Sequence, residues 1–404
     1  MAAMPVGPAD LDGPPTVEVP VDAFRLAVGG PFFELQARLG LLRHDALRVE
    51  RRIGLYVGLA FGVPLGLAAV EGVALGVPRP FLLDPAVWAR FVVAIALFVI
   101  MDRLVDERLR TLLGQFVRAP LIAPAALPAA ASAVNRALVR KDAILPELIC
   151  IGLALLISWS GLALRDDPGG SWLVVGEPAA ARFSLAAWWC VAISNPLFWF
   201  LMLRWHWRYL VWALLLRDLA RLDLRLVATH LDHTGGLAFI GRYPNVFAVF
   251  VFALSCVVAA GIARGLLDGS LQTTTYGYLM ACWLGIVFGL FVLPLAAFSR
   301  PLREFKERTL LASSAQATRR ERAREREVLG ANLVAGGDAA TTKSDDVPDP
   351  AAIHEAASKL RTLPFQRTAL LPLGAAALLP LVAAGATQIP IQEVWAIAKR
   401  LLLL

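Results

Sequence analysis

Reactive side chains are scarce in this chain. Only five histidines and four cysteines occur in 404 residues. Cys150, Cys190, Cys256 and Cys282 each fall inside an apolar block and none forms a CxxC pair. That spacing excludes a zinc knuckle and a disulfide framework, and the four read as buried free thiols. There is no GxxxxGK[ST] to cradle nucleotide phosphates, no dinucleotide GxGxxG after a strand, no HExxH and no spacing that suggests Ser-His-Asp. No nucleic-acid module and no cofactor signature is present. The first twenty residues are Pro-rich, carry three acids and lack an apolar run, so a cleavable signal is not expected and the first span should insert as an uncleaved anchor.

Apolar residues are abundant instead. They make up 58% of the chain, against roughly 45–50% in soluble domains, and mean hydropathy is +0.63. The excess is gathered into blocks, which argues for membrane spans. A span needs about 20 apolar residues to cross a hydrocarbon core of roughly 30 Å. Seven blocks qualify, at 53–77, 85–101, 144–164, 183–203, 246–263, 276–298 and 369–389. The expected fold class is therefore all-α, an integral bundle of about seven transmembrane helices. Lys and Arg decide its orientation. With the N-terminus cytoplasmic, 32 of the 39 basic residues fall in cytoplasmic segments and seven outside, the asymmetry that fixes bacterial topology. A multi-pass inner-membrane protein follows, with the tail beyond the seventh span outside. Four regions are expected: a cytoplasmic segment 1–52, a six-span region 53–299 with a cytoplasmic loop at 204–243, a charged helix and disordered linker at 300–367, and a last span and tail at 368–404.

The cytoplasmic segments carry further patterns. Leu35, Leu39, Leu42, Ala46 and Val49 recur at helical spacing among arginines, which predicts an amphipathic helix before the first span. Residues 204–226 read as a continuation of the fourth span, with Trp205, Trp207, Tyr209 and Trp212 as an interfacial aromatic belt. Beyond them Arg217, Arg221 and Arg225 stand four apart, a stripe suited either to anionic headgroups or a phosphate, or to plain positive-inside anchoring. Asp218 is placed to meet Arg221. Acid and base alternate over 318–328, which predicts a solvated helix, whereas 330–350 has no periodicity.

Within the spans polar groups are few. Asn195-Pro196 lies in the middle of the fourth, where the missing N–H of Pro196 should kink the helix beside a candidate pathway. Glu71 and Glu147 sit near span ends, where solvation is the expected state.

The densest stretch is 221–241, RLDLRLVATHLDHTGGLAFIG. His230, Asp232 and His233 stand within four residues, followed by Gly235 and Gly236. This is the candidate functional loop. THLDHTGG lacks the first His of the HxHxDH run of metallo-β-lactamase-fold hydrolases, and the downstream ligands are missing too. A two-His, one-carboxylate site stays open alongside a structural reading, in which Asp232 or Thr234 orders a turn and the glycines let the backbone bend. RLDLRL followed by HxDxxGGL resembles a group of bacterial polytopic inner-membrane proteins in which the run reads His-Pro-Asp-x-x-Gly-Gly-Leu; Leu231 stands here in the Pro position. The end of the chain, LPFQRTALLPLGAAALLPL…IPIQEV, is similar to that group as well. The resemblance implies a fixed cytoplasmic loop and brings no activity with it.

Three functional classes remain. A channel or transporter suits a chain whose mass is mostly spans. A membrane-embedded enzyme or lipid-handling protein would use His230, Asp232 and His233 near headgroup depth. A scaffold would use the 300–367 loop. Membrane lipids, anionic at the inner leaflet, are the expected partners; nucleic acid is not, and a homo-oligomer stays open.

Overall fold

The computed structural model describes residues 19–41, 48–163, 171–176, 181–267, 272–334, 344, 347–365 and 367–403. It is an all-α helix bundle. Among the described residues seven helices are long and apolar enough to cross a membrane, and the protein is a multi-pass membrane protein.

A short helix α1 (Pro31–Arg38) precedes the first span, α2 (Val49–Val70). The expected continuous amphipathic helix is not formed: α1 ends at Leu39–Gly40, where Gly40 turns the chain with φ 71°, and residues 42–47, with Leu42 and Ala46, lie outside the described residues. The second span, α3 (Pro85–Arg118), has 34 residues, about 51 Å at 1.5 Å per residue. It therefore outreaches the hydrocarbon core by several turns at the arginine-rich end of the bundle. A surface helix α4 (Leu127–Asp142) leads into α5 (Ile144–Ala163). At the opposite end a two-residue antiparallel pair, β1 (Val174–Val175) and β2 (Arg182–Phe183), joins α5 to α6 (Leu185–Ala220). The remaining elements are α7 (Ala238–Leu267), α8 (Thr273–Val292), its extension α9 (Ser299–Leu329), a short α10 (Ala351–Lys359) packed on α9, α11 (Leu371–Gly385) and α12 (Ile391–Leu403). The unpatterned stretch after α9 falls largely at 335–343 and 345–346, outside the described residues.

Three spans contain π turns, at Gly58–Gly62 in α2, Trp88–Ala94 in α3 and Cys190–Ser194 in α6, and the first packs against the other two. A π turn inserts an extra residue and frees backbone carbonyls. Side chains take two of them: Trp189 Nε1 donates to Leu59 O at 2.8 Å and Ser158 Oγ to Val191 O at 2.6 Å. The distortion demanded by Pro196 thus appears as the π turn just before it, and α6 runs on for 26 α-helical residues from Asn195.

The tail corrects an expectation. Helix α12 folds back along α11 rather than staying at the far end. Val394 and Ala398 are buried, and a Cβ on Gly374, in the first turn of α11, would lie 2.7 Å from Leu402. Gly374 to Gly385 and Ile391 to Leu402 are both eleven residues, about 16 Å of helix, so the two form an antiparallel hairpin. Lys399 and Arg400 return toward the end at which α11 begins.

The aromatic residues of α6 are not an interfacial belt. Trp205, Tyr209 and Trp212 are buried. Trp205 Nε1 donates to Phe98 O at 2.9 Å, and Tyr209 packs on Phe291 with centroids 4.7 Å apart and the rings tilted by 57°. Their apolar bodies fill the contact of α6 with α3, α7 and α8; Trp205 and the Tyr209 hydroxyl reach backbone carbonyls, whereas Trp212 Nε1 has no partner among the described residues.

Candidate functional site: an ionic cluster closed by the N-terminal segment

The site lies at the arginine-rich end, enclosed by α2, α3, α5 and α6. On α3, Asp102 and Asp106 are one helical turn apart, and on α6 Arg204 and Arg208 are likewise at i, i+4, so each pair shares a face. Arg52 comes from the first turn of α2, Glu147 from the first turn of α5 and Lys141 from the last turn of α4. All seven are buried. Asp102 bridges two guanidiniums, with Oδ2 accepting from Arg52 Nη2 at 2.6 Å and Oδ1 from Arg208 Nη1 at 2.9 Å. Glu147 Oε1 accepts from Arg204 Nε at 3.0 Å. Lys141 Nζ lies 2.7 Å from Asp142 Oδ1.

The segment 24–32 roofs this cluster. Phe24, Leu26 and Ala27 are buried, Phe24 against Trp212 and Phe32 against Phe200. Its hydrogen bonds to the charges come from the backbone, and the Phe32 ring lies under the Arg204 guanidinium at 5.1 Å. Asp106 accepts from Ala27 N (2.7 Å), and Glu147 Oε2 from Phe32 N (2.7 Å). Arg208 donates to Ala27 O (2.5 Å), Lys141 to Val28 O (2.6 Å) and Arg204 to Gly29 O (3.3 Å). Gly29 and Gly30 are needed here. Their φ values are 106° and 88°, and a Cβ would lie 2.6 Å from Lys141 Nζ at Gly29 and 2.9 Å from Glu147 Oε1 at Gly30. The left-handed backbone brings peptide groups against charged side chains with no room for a methyl.

The satisfaction is incomplete at one point. Arg52 is 2% exposed, yet Nε and Nη1 have no hydrogen-bond partner among the described residues. Tyr56, one turn on, feels the Arg52 charge without its hydroxyl forming a hydrogen bond in good geometry. A buried ion costs several kcal/mol unless its donors are matched, so Arg52 is where a further acceptor would bind most favourably. Sequence reading missed this cluster. It counted Arg52, Lys141, Arg204 and Arg208 as cytoplasmic anchors and expected a solvated Glu147, which is buried and ion-paired. Glu71, at the other end, is also paired rather than solvated, at 3.0 Å from Arg182 and accepting from Leu185 N at 2.6 Å. The readable signal was the run of charges at i, i+4 on the two spans that continue past the membrane.

The residues singled out from sequence fall elsewhere. Asp232 organises its loop: Oδ1 accepts from Thr234 N (2.8 Å) and Gly236 N (3.1 Å), Oδ2 from Ala238 N (3.0 Å). Partial burial works to raise its pKa, but these N–H donors together outweigh burial and hold the carboxyl below its ordinary value. His230 Nδ1 lies 2.9 Å from Asp232 Oδ1. His233, Gly235 and Gly236 all adopt positive φ, at 54°, 67° and 100°, and His233 O accepts from Arg361 N at 2.8 Å. The loop is thus a tight turn docked on the chain after α10, and it forms with Leu231 in place. Among the described residues no three His, Cys, Asp or Glu side chains are grouped to hold a metal.

The arginine stripe is broken. Helix α6 ends at Ala220, Arg221 is its cap, and Arg225 N donates to Leu121 O at 2.7 Å in an isolated bridge between chain segments. Asp218 meets Arg136 (3.5 Å), Arg140 (3.6 Å) and Arg217 (3.6 Å) rather than Arg221. Asn195 is buried beside the π turns with Oδ1 unpartnered, and Pro196 follows it; neither touches the ionic cluster. No protein family matches the chain, and neither does any curated protein or solved structure.

Proposed function

We propose that the protein is a gated conduit for small ions or solutes in the bacterial inner membrane. Its arginine-rich end faces the cytoplasm, and residues 19–38 close its cytoplasmic mouth. One observation carries this reading: five hydrogen bonds join buried charges to the backbone of residues 27–32. These bonds are made by N–H and C=O groups, and water offers the same donors and acceptors. Withdrawal of the segment would leave the Asp106 carboxylate, Glu147 Oε2 and one donor each of Arg204 and Arg208 unmatched in a low-dielectric site, while the Glu147–Arg204 and Asp102–Arg208 pairs persist, at a cost that hydration removes. An open state is therefore a water-filled vestibule lined by fixed charges of both signs. The π turns at Gly58–Gly62, Trp88–Ala94 and Cys190–Ser194, with Asn195 buried next to them, supply the polar backbone deeper in the bundle that a pathway requires. The basic-residue count supports the orientation, and α12 moves Lys399 and Arg400 to its majority side. The alternative of an enzyme built on His230, Asp232 and His233 loses ground, because Asp232 is committed to turn hydrogen bonds.

The test is ion flux in proteoliposomes. Gly29→Val places a branched side chain where φ is 106° and where Lys141 and Asp142 leave no space, so it should lift the segment and raise the leak several-fold. A thiol introduced by Ala27→Cys in the same chain, with the half-buried Cys256 and the exposed Cys282 replaced by Ser, reports the lift by reacting with a water-soluble maleimide. Full labelling of that thiol in vesicles that leak no more than protein-free ones would sink the proposal.

A further inference from the structure

A cavity with charged residues in its lining lies outside the ionic cluster. It measures about 680 Å³ and sits between the end of α3, the start of α7 and the start of α11. Glu107 and Arg108 line it from α3, Arg242, Asn245 and Val246 from α7, and Pro372 from α11. Thr111, on the same wall, is 26 residues along α3 from Pro85, about 39 Å. That exceeds a hydrocarbon core of roughly 30 Å, so the cavity stands at headgroup level. Its volume is that of a small-ligand site.

The chemistry of the lining has two halves. Arg108 and Arg242 form no ion pair among the described residues, although two guanidiniums on one cavity repel unless an anion lies between them. Guanidiniums match phosphate oxygens in forked geometry. The second half is acceptor-only. The Glu107 carboxylate has no partner among the described residues. Asn245 Oδ1 is buried without a partner, and its orientation is set because Nδ2 donates to Ala369 O at 2.6 Å. An unpaired buried acceptor next to a carboxylate fits an ammonium, which has donors and no acceptor. Val246 and Pro372 supply an apolar wall.

We infer that this cleft binds an aminoalkyl phosphate, the phosphate held by Arg108 and Arg242 and the primary ammonium by Glu107 and Asn245 Oδ1, as in an ethanolamine phospholipid headgroup. A choline headgroup lacks the N–H donors the acceptor half requires, and a glycerol headgroup lacks the cation.

Delipidated protein in detergent, titrated with phosphatidylethanolamine, phosphatidylcholine or phosphatidylglycerol and read by intact-complex mass spectrometry, tests this. A parallel arm uses free phosphoethanolamine. Wild type should prefer the ethanolamine lipid. Arg108→Gln with Arg242→Gln should weaken it about tenfold or more, the worth of lost charge-assisted hydrogen bonds. Glu107→Gln should keep phosphate binding but erase the preference over choline. Binding of free phosphoethanolamine as tightly as the lipid would keep the site and assign it to a soluble ligand. Equal binding of all three lipids, or a preference that survives Glu107→Gln, would overturn the inference. These side chains are solvent-exposed apart from Asn245, and an unchanged unfolding midpoint of each variant confirms its fold.

Discussion

Replacing Asp102 by Asn is the sharpest probe of the ionic cluster. Asn has nearly the same shape, so no cavity opens and the change isolates the charge. Asp102 uses both oxygens, on Arg52 at 2.6 Å and Arg208 at 2.9 Å, with side-chain exposures of 6%, 2% and 4% for the three residues. Arg208 keeps Ala27 O and the nearby Asp106. Among the described residues Arg52 keeps nothing of opposite charge, and two of its three guanidinium nitrogens already lack partners. Removing one member of a buried pair costs about 3–5 kcal/mol, because the survivor remains a desolvated charge. Adding Arg52→Met to the Asn variant removes that stranded charge and should restore a large part of the loss, a non-additivity expected only of residues in contact. Asp218→Asn is the matched control. Its partners Arg136 and Arg140 stand 3.5 and 3.6 Å away with exposed or half-buried side chains, and such pairs are worth about 0–1 kcal/mol. Denaturant unfolding in mixed micelles, followed by tryptophan fluorescence, compares the four proteins. If Asp102→Asn unfolds within about 1 kcal/mol of wild type, or Arg52→Met gives no rescue, the cluster is hydrated rather than buried and the reasoning fails.

Two other outcomes are expected. The Asp232 carboxyl is held below its ordinary pKa, so its contribution is complete above the unfolded value, near 4, and is lost as pH falls through the lowered one. Proteolysis at 227–238 should therefore rise on acidification below about pH 4 and become independent of pH in Asp232→Asn; a wild-type loop equally protected throughout would contradict this. A reporter fused after Leu404 should read cytoplasmic, because α12 returns along α11, and a periplasmic signal there would disprove the hairpin or the orientation.

The bundle itself was legible in the sequence. Hydropathy is a local property summed over about 20 residues, and each of the seven blocks must satisfy its own backbone hydrogen bonds within the membrane. The helix after the sixth span was readable for the same reason, since its alternating charges lie at i, i+4 within one segment. The turn at Asp232 was half legible: Asp, two glycines and no periodicity mark a tight loop, but metal ligation and turn formation use the same residue types, and only the hydrogen bonds from Thr234, Gly236 and Ala238 chose between them.

What the tertiary structure alone decided is the pairing of charges far apart along the chain. Arg52 and Asp102 are 50 residues apart, Glu147 and Arg204 57, and Ala27 and Arg208 181. In a list of basic residues, Arg204 and Arg208 look the same as Arg221 and Arg225, because a guanidinium anchors equally well by sequence count whether it faces water or a neighbouring span. The difference is made by α3 and α6 continuing side by side beyond the membrane, which encloses the first pair of arginines and leaves the second in solvent. Burial then forces each enclosed charge to find partners, which are the opposite charges of neighbouring helices and, for Asp106, Lys141, Glu147, Arg204 and Arg208, the peptide groups of the N-terminal segment.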